Sequence, residues 1–399
     1  MLNSLAAALA FPLLVLYLSV ADIALGHRGL LPAAATLCAI AGLLPLALLE
    51  CARELPPRAV RRNFLPLSAF AVVALVALTL SVLPGAYWEE GGKWIFLLPY
   101  AFLTTLLTVI AGSNQRLLAL RSPAAATALA LLLWSIASDL STPGTFTPPT
   151  ERAAGFSGNA NYTALVTTML CASALDYERR RPLIVDLFFI AVSLAIVLIS
   201  LSRSGLLVLV AMLCVYAVVR IRQRPLAPSE LRSGVISLAA TMLVLAAASP
   251  LYAPQVEALQ SQSRFRRALA GKQVDDGSAA SRIAAAQDAL DRIDRSPLLG
   301  HGTGYARRMP ELPHNLYLQQ WVNNGVLGLL GYVVFLGTSA AVFVRRRCFS
   351  GSMLIFVTAL GSFFSHNVLD QRPFLFLYGL ALAQSVASCP EPRNRKVLR

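Results

Sequence analysis

The chain is poor in charged side chains. Only 14% of its 399 residues are charged, whereas a soluble protein of this length carries roughly a quarter. Apolar runs of about 17–22 residues recur along most of the chain, and each is long enough to cross a bilayer core of about 30 Å. This composition excludes a soluble globular domain and predicts a membrane protein with many spans.

Cysteine is also scarce, and none of it lies in the predicted outer loops, where disulfides could form. The six cysteines fall in apolar spans or in predicted cytoplasmic segments, which leaves no disulfide framework and no CxxC metal site. The first apolar run lacks the positively charged segment of a cleaved signal peptide, so we expect it to be retained as a span.

The apolar runs predict an all-α polytopic membrane protein of about twelve transmembrane helices. We divide the chain into helices 1–9 over residues 1–250, a large outer loop over residues 251–320, and helices 10–12 with a cytoplasmic tail over residues 321–399. The predicted spans are 5–24, 30–49, 64–83, 94–111, 122–141, 160–175, 183–200, 204–219, 233–250, 321–344, 351–366 and 373–389.

Basic residues are distributed unevenly between the two sets of junctions. The segments that join even to odd spans, together with the C-terminal tail, hold twenty Lys and Arg residues, against five in the short loops opposite. The positive-inside rule therefore places both termini in the cytoplasm and the 251–320 loop outside. The same asymmetry explains most of the net charge of +14 without a nucleic-acid partner.

The 251–320 loop is too short to form a large independent domain, so we expect it to lie against the membrane-embedded helices. We predict an amphipathic helix in it that is capped by Ser281 and ended by Pro297 and the glycines that follow. An outer loop of this size is where a lipid-linked substrate would meet a water-soluble one. The predicted apolar face of the helix consists of Ile283, Ala286, Leu290 and Ile293.

Arg203 interrupts an apolar stretch, residues 186–219, that is too long for one crossing and only just long enough for two. The chain must therefore turn near SLSRSG, which places Arg203 at the outer surface. An unpaired arginine in such a place costs several kcal/mol, so we predict that it is functional. The alternative is an arginine that extends to the lipid headgroups.

His314 and Asn315 precede the tenth span in the pattern H-N-x9-G-x-x-G, which ends at Gly325 and Gly328. We expect these small residues to let helices approach closely. Taken alone, a histidine before a helix is more often a hydrogen-bonding residue than a catalyst. A functional role is favoured by the other residues that we predict on the same outer side, which are His301, Arg282, Arg203, His366 and Arg372.

Two further features of the outer side suit an anion. Arg282 opens the predicted amphipathic helix, where backbone N–H groups already favour negative charge. Either Asn159 or Asn161 caps the sixth span, or this segment presents a second helix N-terminus to phosphate. A second basic cluster is more typical of a solvated face or of lipid contact, and it consists of Arg264, Arg266, Arg267 and Lys272.

Two suggestive patterns are not interpreted as sites. Asp288, Asp291 and Asp294 do not indicate a metal, because the first two each have an arginine four residues later, as ion pairs on a wet helix face do. The GHGTG segment follows no strand and lies where no nucleotide is supplied. We interpret it as a turn that helps to aim His301.

The outer side thus combines arginines and histidines without an evident carboxylate cluster for Mg²⁺. Arginine stays charged and binds phosphate oxygens with two parallel N–H groups, and the anion that belongs at a membrane surface is a lipid pyrophosphate. A sugar on that pyrophosphate is already activated, so the remaining need is a base for an incoming hydroxyl. We predict that His314 activates an acceptor sugar hydroxyl, with inversion at the anomeric carbon and without a metal or cofactor.

The same residues carry a resemblance to a known family. Arg203 with Leu207, then SPLLGHGTG, then H-N-x9-G-x-x-G resemble the O-antigen ligase/polymerase membrane family, and its O-antigen ligase branch most closely. The resemblance implies a GT-C-like glycosyltransferase of lipopolysaccharide biosynthesis in the bacterial inner membrane. It would move O-antigen glycan from undecaprenyl pyrophosphate to lipid A–core at the periplasmic face, with the 251–320 loop in the periplasm.

For the site, the resemblance implies that Arg203 and a loop arginine, Arg282 or Arg266, hold the pyrophosphate. It also implies that His314 acts on the acceptor. Supporting roles are expected for His301, Asn315, Asn159, Asn161 and Arg372.

Three alternatives stay open at this point. An O-antigen polymerase and an oligosaccharyltransferase that modifies protein would both use the same donor. A transporter or flippase for an anionic lipid would favour charged residues and broken helices at mid-membrane depth. The predicted spans are almost free of charge apart from their ends, which favours an enzyme that acts at the surface.

Overall fold

The structure, a computed structural model, describes residues 2–28, 35–87, 96–142, 144–148, 152–177, 181–223, 232, 236 and 277–387. In these ranges the chain forms α-helices joined by loops and short 3-10 turns, without a β-strand. The helices are α1 Leu2–Leu18, α2 Ala21–His27, α3 Ala35–Arg53, α4 Arg58–Arg62, α5 Phe64–Thr79, α6 Leu97–Ala111, α7 Gln115–Ala119, α8 Arg121–Ser141, α9 Ala160–Ala174, α10 Leu183–Ile199, α11 Arg203–Gln223, α12 Gly277–Arg295, α13 Leu316–Arg345, α14 Phe349–Gly361 and α15 Arg372–Ala387.

The predicted all-helical architecture is confirmed for the described part of the chain. Eleven of the twelve predicted spans contain a described helix, and the ninth, 233–250, lies outside the described residues apart from residue 236. By length and composition, four helices in the described ranges can cross a membrane, namely α5 with the turn after it, α8, α11 and α13. Several helix boundaries differ from the predicted ones, and two of these differences bear on the site. Helix α13 begins at Leu316, before the predicted span, and α14 ends at Gly361, which leaves His366 in the following loop.

Two helices form the buried centre of the bundle. Thirteen of fifteen residues in α9 and thirteen of sixteen in α15 are buried. Helices α8, α10, α11 and α14 contact α9, while α1, α6 and α14 contact α15. Because α9 and α15 have neighbours on most sides, their sequences lack the polar face of a surface helix.

A buried ionic network joins α10, α11 and the loop before α10, at the end of α11 that is remote from Arg203. Asp186 in the first turn of α10 is fully buried and accepts hydrogen bonds from Arg220 at 3.0 Å and from the Tyr216 hydroxyl at 2.6 Å. Arg181 forms a second ion pair with the same carboxylate at 3.1 Å. Because a buried carboxylate needs such partners, the network holds the start of α10 to the end of α11.

The predicted amphipathic helix exists as α12, but its predicted cap and apolar face are wrong. It begins at Gly277, so Ser281 lies within it. Of the predicted face only Ile293 is buried, whereas Ile283 and Leu290 are 60% and 47% exposed. The helix packs through small alanines that let it lie close to the start of α13, and the larger residues point away. The packed cluster is Ala289, Ile293, Ala306, Met309 and Val322.

Helix α13 is interrupted at Gly325, where φ is +63°. At this interruption the loop before α13 forms hydrogen bonds with the helix backbone. The His301 N–H in that loop donates to the Val322 carbonyl at 2.9 Å. A Cβ on Gly325 would lie 2.1 Å from the carbonyl oxygen of Leu298. Gly325 therefore permits a junction between a loop and a helix, and the helix–helix contact expected from its small size is wrong for this residue.

Candidate active site

The start of α13 is shaped by its cap. The side-chain oxygen of Asn315 accepts hydrogen bonds from the backbone N–H groups of Tyr317 at 2.9 Å and Leu318 at 3.2 Å. These groups would otherwise lack partners at the helix N-terminus. Asn315 thus caps α13, and the preceding His314 lies in front of the helix with its side chain partly open to solvent.

His314 lies beside a second histidine. The Leu316 N–H donates to the Ser362 carbonyl at 2.8 Å, which ties the start of α13 to the loop after α14. His366 is in that loop, and its ring centroid is 5.4 Å from that of His314, with an angle of 57° between the ring planes. The two imidazoles therefore share one site despite the distance between them in sequence.

Arg282 and Glu311 lie near His314. Partial burial and the charge of Arg282 lower the pKa of His314 below its usual value of 6.5, while Glu311 opposes this shift. The Ser281 hydroxyl donates to the Glu311 carboxylate and so joins the start of α12 to the His314 segment. The imidazole of His314 is therefore mostly neutral at pH 7 and able to accept a proton.

The predicted turn at Arg203 is confirmed. Helix α10 ends at Ile199, and Arg203 is the first residue of α11, with an exposed side chain. The Ser202 hydroxyl oxygen caps α11 by accepting from the Gly205 N–H at 3.1 Å. A second arginine, Arg152, reaches this turn and donates to the Leu201 carbonyl at 2.9 Å.

Two helix N-termini lie side by side at this turn. Asn159 caps α9 by accepting from the N–H groups of Asn161 and Tyr162 at 3.0 and 3.2 Å. The side chain of Asn161 instead accepts a 2.8 Å hydrogen bond from the Ser202 hydroxyl at the start of α11. Asn159 is thus the cap, and Asn161 joins two helix starts that both favour an anion beside Arg203.

Arg203 and His314 lie at the same end of the bundle. Helix α9 begins beside α11, and its Leu165 packs so closely on Gly361 that a Cβ there would come within 2.6 Å of the leucine. Gly361 ends α14 and precedes Ser362, which holds the start of α13. The N-terminus of α9, the C-terminus of α14 and the N-terminus of α13 thus connect the two residues.

A cleft opens beside the histidine pair. It encloses about 520 Å³ of space, including open solvent, at the start of α13. Burial, then the charges of Arg307 and His314, lower the pKa of His366 to about 4, so its ring is neutral in the cleft. The lining residues are Leu97, Leu98, Thr303, Gly304, Arg307, Leu316, Gln319, Gln320, Asn323, Asn324, His366, Asn367 and Leu369.

Sequence reasoning missed Arg307 and most of the cleft. Arg307 follows the GHGTG turn by a few residues, and only the fold brings it beside His366. The pairs Gln319–Gln320 and Asn323–Asn324 were a usable signal, because amides are unusual at the start of an apolar helix.

Two predicted supporting residues have partners elsewhere. The His301 ring stacks on Tyr305 at 4.5 Å, and its Nε2 lies 2.8 Å from the Arg292 carbonyl oxygen. Arg372 forms an ion pair with Asp22 and lies over a tyrosine ring. Both contacts hold helices and loops together, and the supporting roles predicted for these two residues stay predictions. Arg266, the second candidate for a pyrophosphate ligand in the loop, lies outside the described residues.

Comparison with known proteins adds a family. Residues 188–333 match a family model described as O-antigen ligase. This segment is therefore similar to O-antigen ligases. The resemblance predicted from sequence is therefore confirmed, and the matched segment of this membrane protein includes Arg203, Arg282, His301 and His314. No curated protein matches the chain.

Proposed function

We propose that the protein is an O-antigen ligase, an inverting and metal-independent glycosyltransferase. It moves O-antigen glycan from undecaprenyl pyrophosphate to a sugar of lipid A–core. The observation that carries the proposal is the placement of a neutral His314 beside Arg282, at the same end of the bundle as Arg203. The family match over residues 188–333 supports the same class of reaction.

The proposed donor site uses positive charge from three sources. Arg203 and Arg282 bind the pyrophosphate oxygens, and the adjoining N-termini of α9 and α11 add partial positive charge. Arg266 is a further candidate ligand. Neutralisation of the pyrophosphate makes it a better leaving group, so the departing oxygen needs no proton from an acid.

The proposed reaction is a single displacement. The acceptor hydroxyl oxygen forms a bond to the anomeric carbon while the bond from that carbon to the pyrophosphate oxygen breaks. His314 takes the hydroxyl proton, and undecaprenyl pyrophosphate leaves with the bonding electron pair. The new glycosidic bond has the opposite anomeric configuration, because the nucleophile enters opposite the leaving group.

The proposed setting is the bacterial inner membrane. We infer about twelve spans in a GT-C-like arrangement, with both termini in the cytoplasm and the site facing the periplasm. The eleven described helices in predicted spans support this inference. Arg181 and Arg220, at the end of α11 remote from Arg203, also support it, because their position agrees with the positive-inside rule.

The proposal is tested by reconstitution. Purified protein is given undecaprenyl-pyrophosphate glycan and lipid A–core, and the product is followed as a shift on a gel. We expect lipid A–core to gain the glycan. Lengthening of the donor glycan with unmodified lipid A–core would instead identify a polymerase, and modification of an added protein substrate would identify a protein oligosaccharyltransferase. Movement of the donor across a vesicle bilayer without transfer would identify a transporter.

A further inference from the structure

The cleft at the start of α13 has a lining that is mostly polar and uncharged. Gln319, Gln320, Asn323 and Asn324 project from consecutive turns of one helix, and Asn367 and His366 face them from the loop after α14. Among the lining residues of this described cleft only Arg307 carries a charge. A site with many amides and one cation does not resemble a site built for pyrophosphate, which needs several cations.

Part of this lining is held in place by the fold. The Asn324 side chain accepts from the Thr303 hydroxyl at 2.9 Å and donates to Gln320 Oε1 at 3.1 Å. The Asn323 oxygen accepts from the Ala306 N–H at 2.8 Å. The amides are therefore oriented before a ligand arrives, and a pre-ordered site loses less entropy on binding.

In the part of the chain that the structure describes, two buried atoms of the lining have no hydrogen-bond partner. They are Oε1 of Gln319 and Nδ1 of His366. A buried polar atom without a partner is unfavourable, so each one needs an explanation, such as strain, a catalytic role or contact with a bound molecule. A hydroxyl group donates one hydrogen bond and accepts others, so it can satisfy an amide oxygen and an imidazole nitrogen in turn.

From the amide lining and these two atoms, we propose that the cleft is the subsite for the acceptor sugar ring. The apolar side chains of Leu97, Leu98 and Leu316 provide a wall for the C–H face of the ring. This inference rests on the proposed function, in which His314 takes the proton of the acceptor hydroxyl. The cleft is on the His314 side of the site because His366, which lines it, lies 5.4 Å from His314 between ring centroids.

Gln319→Leu tests the subsite, because it removes the unpartnered oxygen and keeps the approximate size of the side chain. Gln287→Leu on the exposed face of α12 is the matched control. We expect Gln319→Leu to raise KM for lipid A–core about tenfold or more, with KM for the donor unchanged, since a hydrogen bond to a neutral sugar is lost. A rise in KM for the donor alone, or no change in either KM, would overturn the acceptor subsite.

A binding measurement separates this inference from the proposed reaction. Core oligosaccharide freed of lipid A is added to the detergent-solubilised full-length protein, and saturation-transfer NMR reports its contact. We expect a signal with the native protein and with Gln287→Leu, and a loss with Gln319→Leu. That pattern supports the subsite even if no glycan transfer is found, in which case only the proposed reaction fails. Equal signals from all three proteins would overturn the subsite even if transfer occurs.

Discussion

The rings of His314 and His366 lie 5.4 Å apart between centroids, although one precedes α13 and the other follows α14. Both have a lowered pKa, and burial is the main cause for each. A pair of neutral imidazoles at the edge of a cleft suits contact with hydroxyl groups. One of them also lies near Arg282, which links the pair to the proposed pyrophosphate site.

The acid side of the pH–activity profile should depend on the charges around His314. Its pKa is lowered by burial and by Arg282 and raised by Glu311, while the nearby His366 is neutral above pH of about 4. Because protonated His314 cannot accept a proton, activity should fall below pH 6.5 as the imidazole titrates. Arg282→Gln should move this fall to higher pH, and Glu311→Gln should move it to lower pH.

The profile is measured as kcat/KM, which reports groups of the free enzyme. Residual activity in each variant is sufficient, since only the position of the fall is compared. Shifts of both variants in the same direction would mean that another group controls the profile.

Arg203→Lys should lose most of the transfer activity, because lysine keeps the charge but lacks the planar pair of N–H donors. We expect a loss of about 30- to 1000-fold, equivalent to about 2–4 kcal/mol, with normal membrane insertion. Arg295→Lys, on the exposed surface of α12, is the control. Full activity of Arg203→Lys would mean that this arginine only anchors a helix.

The transfer activity of the native protein should survive EDTA, because the proposed reaction uses no metal. A loss of activity that Mg²⁺ restores would indicate a metal site.

Gly325→Ala should disturb the junction between α13 and the loop that follows α12. The residue has φ of +63°, and a Cβ would meet the Leu298 carbonyl at 2.1 Å. A strained backbone of this kind costs about 1–3 kcal/mol, so we expect a lower thermal midpoint and faster proteolysis of the loop. Gly337→Ala is the control in the same helix, because no atom of the described residues lies within 4 Å of a Cβ there. Equal behaviour of the two variants would contradict the role assigned to Gly325.

Asp186→Ala should destabilise the bundle without altering the site directly. The substitution leaves Arg220 buried without its carboxylate, and loss of one partner of a buried pair costs about 3–5 kcal/mol. Unfolding of the purified protein in detergent measures the effect, with Asp291→Ala on the surface of α12 as control. Loss of activity with unchanged stability would mean that the network is coupled to the reaction.

The sequence predicted the helices well because long apolar runs are a strong local signal. The turn between α10 and α11 also followed from length alone, and it placed Arg203 correctly at a helix start. The face of α12 was predicted wrongly, because the large apolar residues suggested a core that alanines in fact provide. The face of α12 that becomes buried is the one against which α13 packs closely, and the periodicity of α12 alone does not show where α13 lies.

The candidate site was predictable only in part. His314, Arg203 and Arg282 stood out by residue type and by resemblance, but the cleft depends on contacts between distant segments. Arg307 and His366 are 59 positions apart and come together through the loop after α14. His301 and Arg372 were predicted by residue type alone, and the sequence did not show that they contact the Arg292 carbonyl and Asp22.

The central claim is that His314 takes the proton of the acceptor hydroxyl. Its most direct test is glycan transfer by purified wild type, His314→Ala and His314→Gln from about pH 5.5 to about pH 8. Both variants should lose about 10²- to 10⁴-fold in transfer while still binding the lipid pyrophosphate, and neither should keep the fall of activity at low pH. A His314→Gln variant that matches wild type over this whole range would contradict the claim and leave His314 with positioning alone.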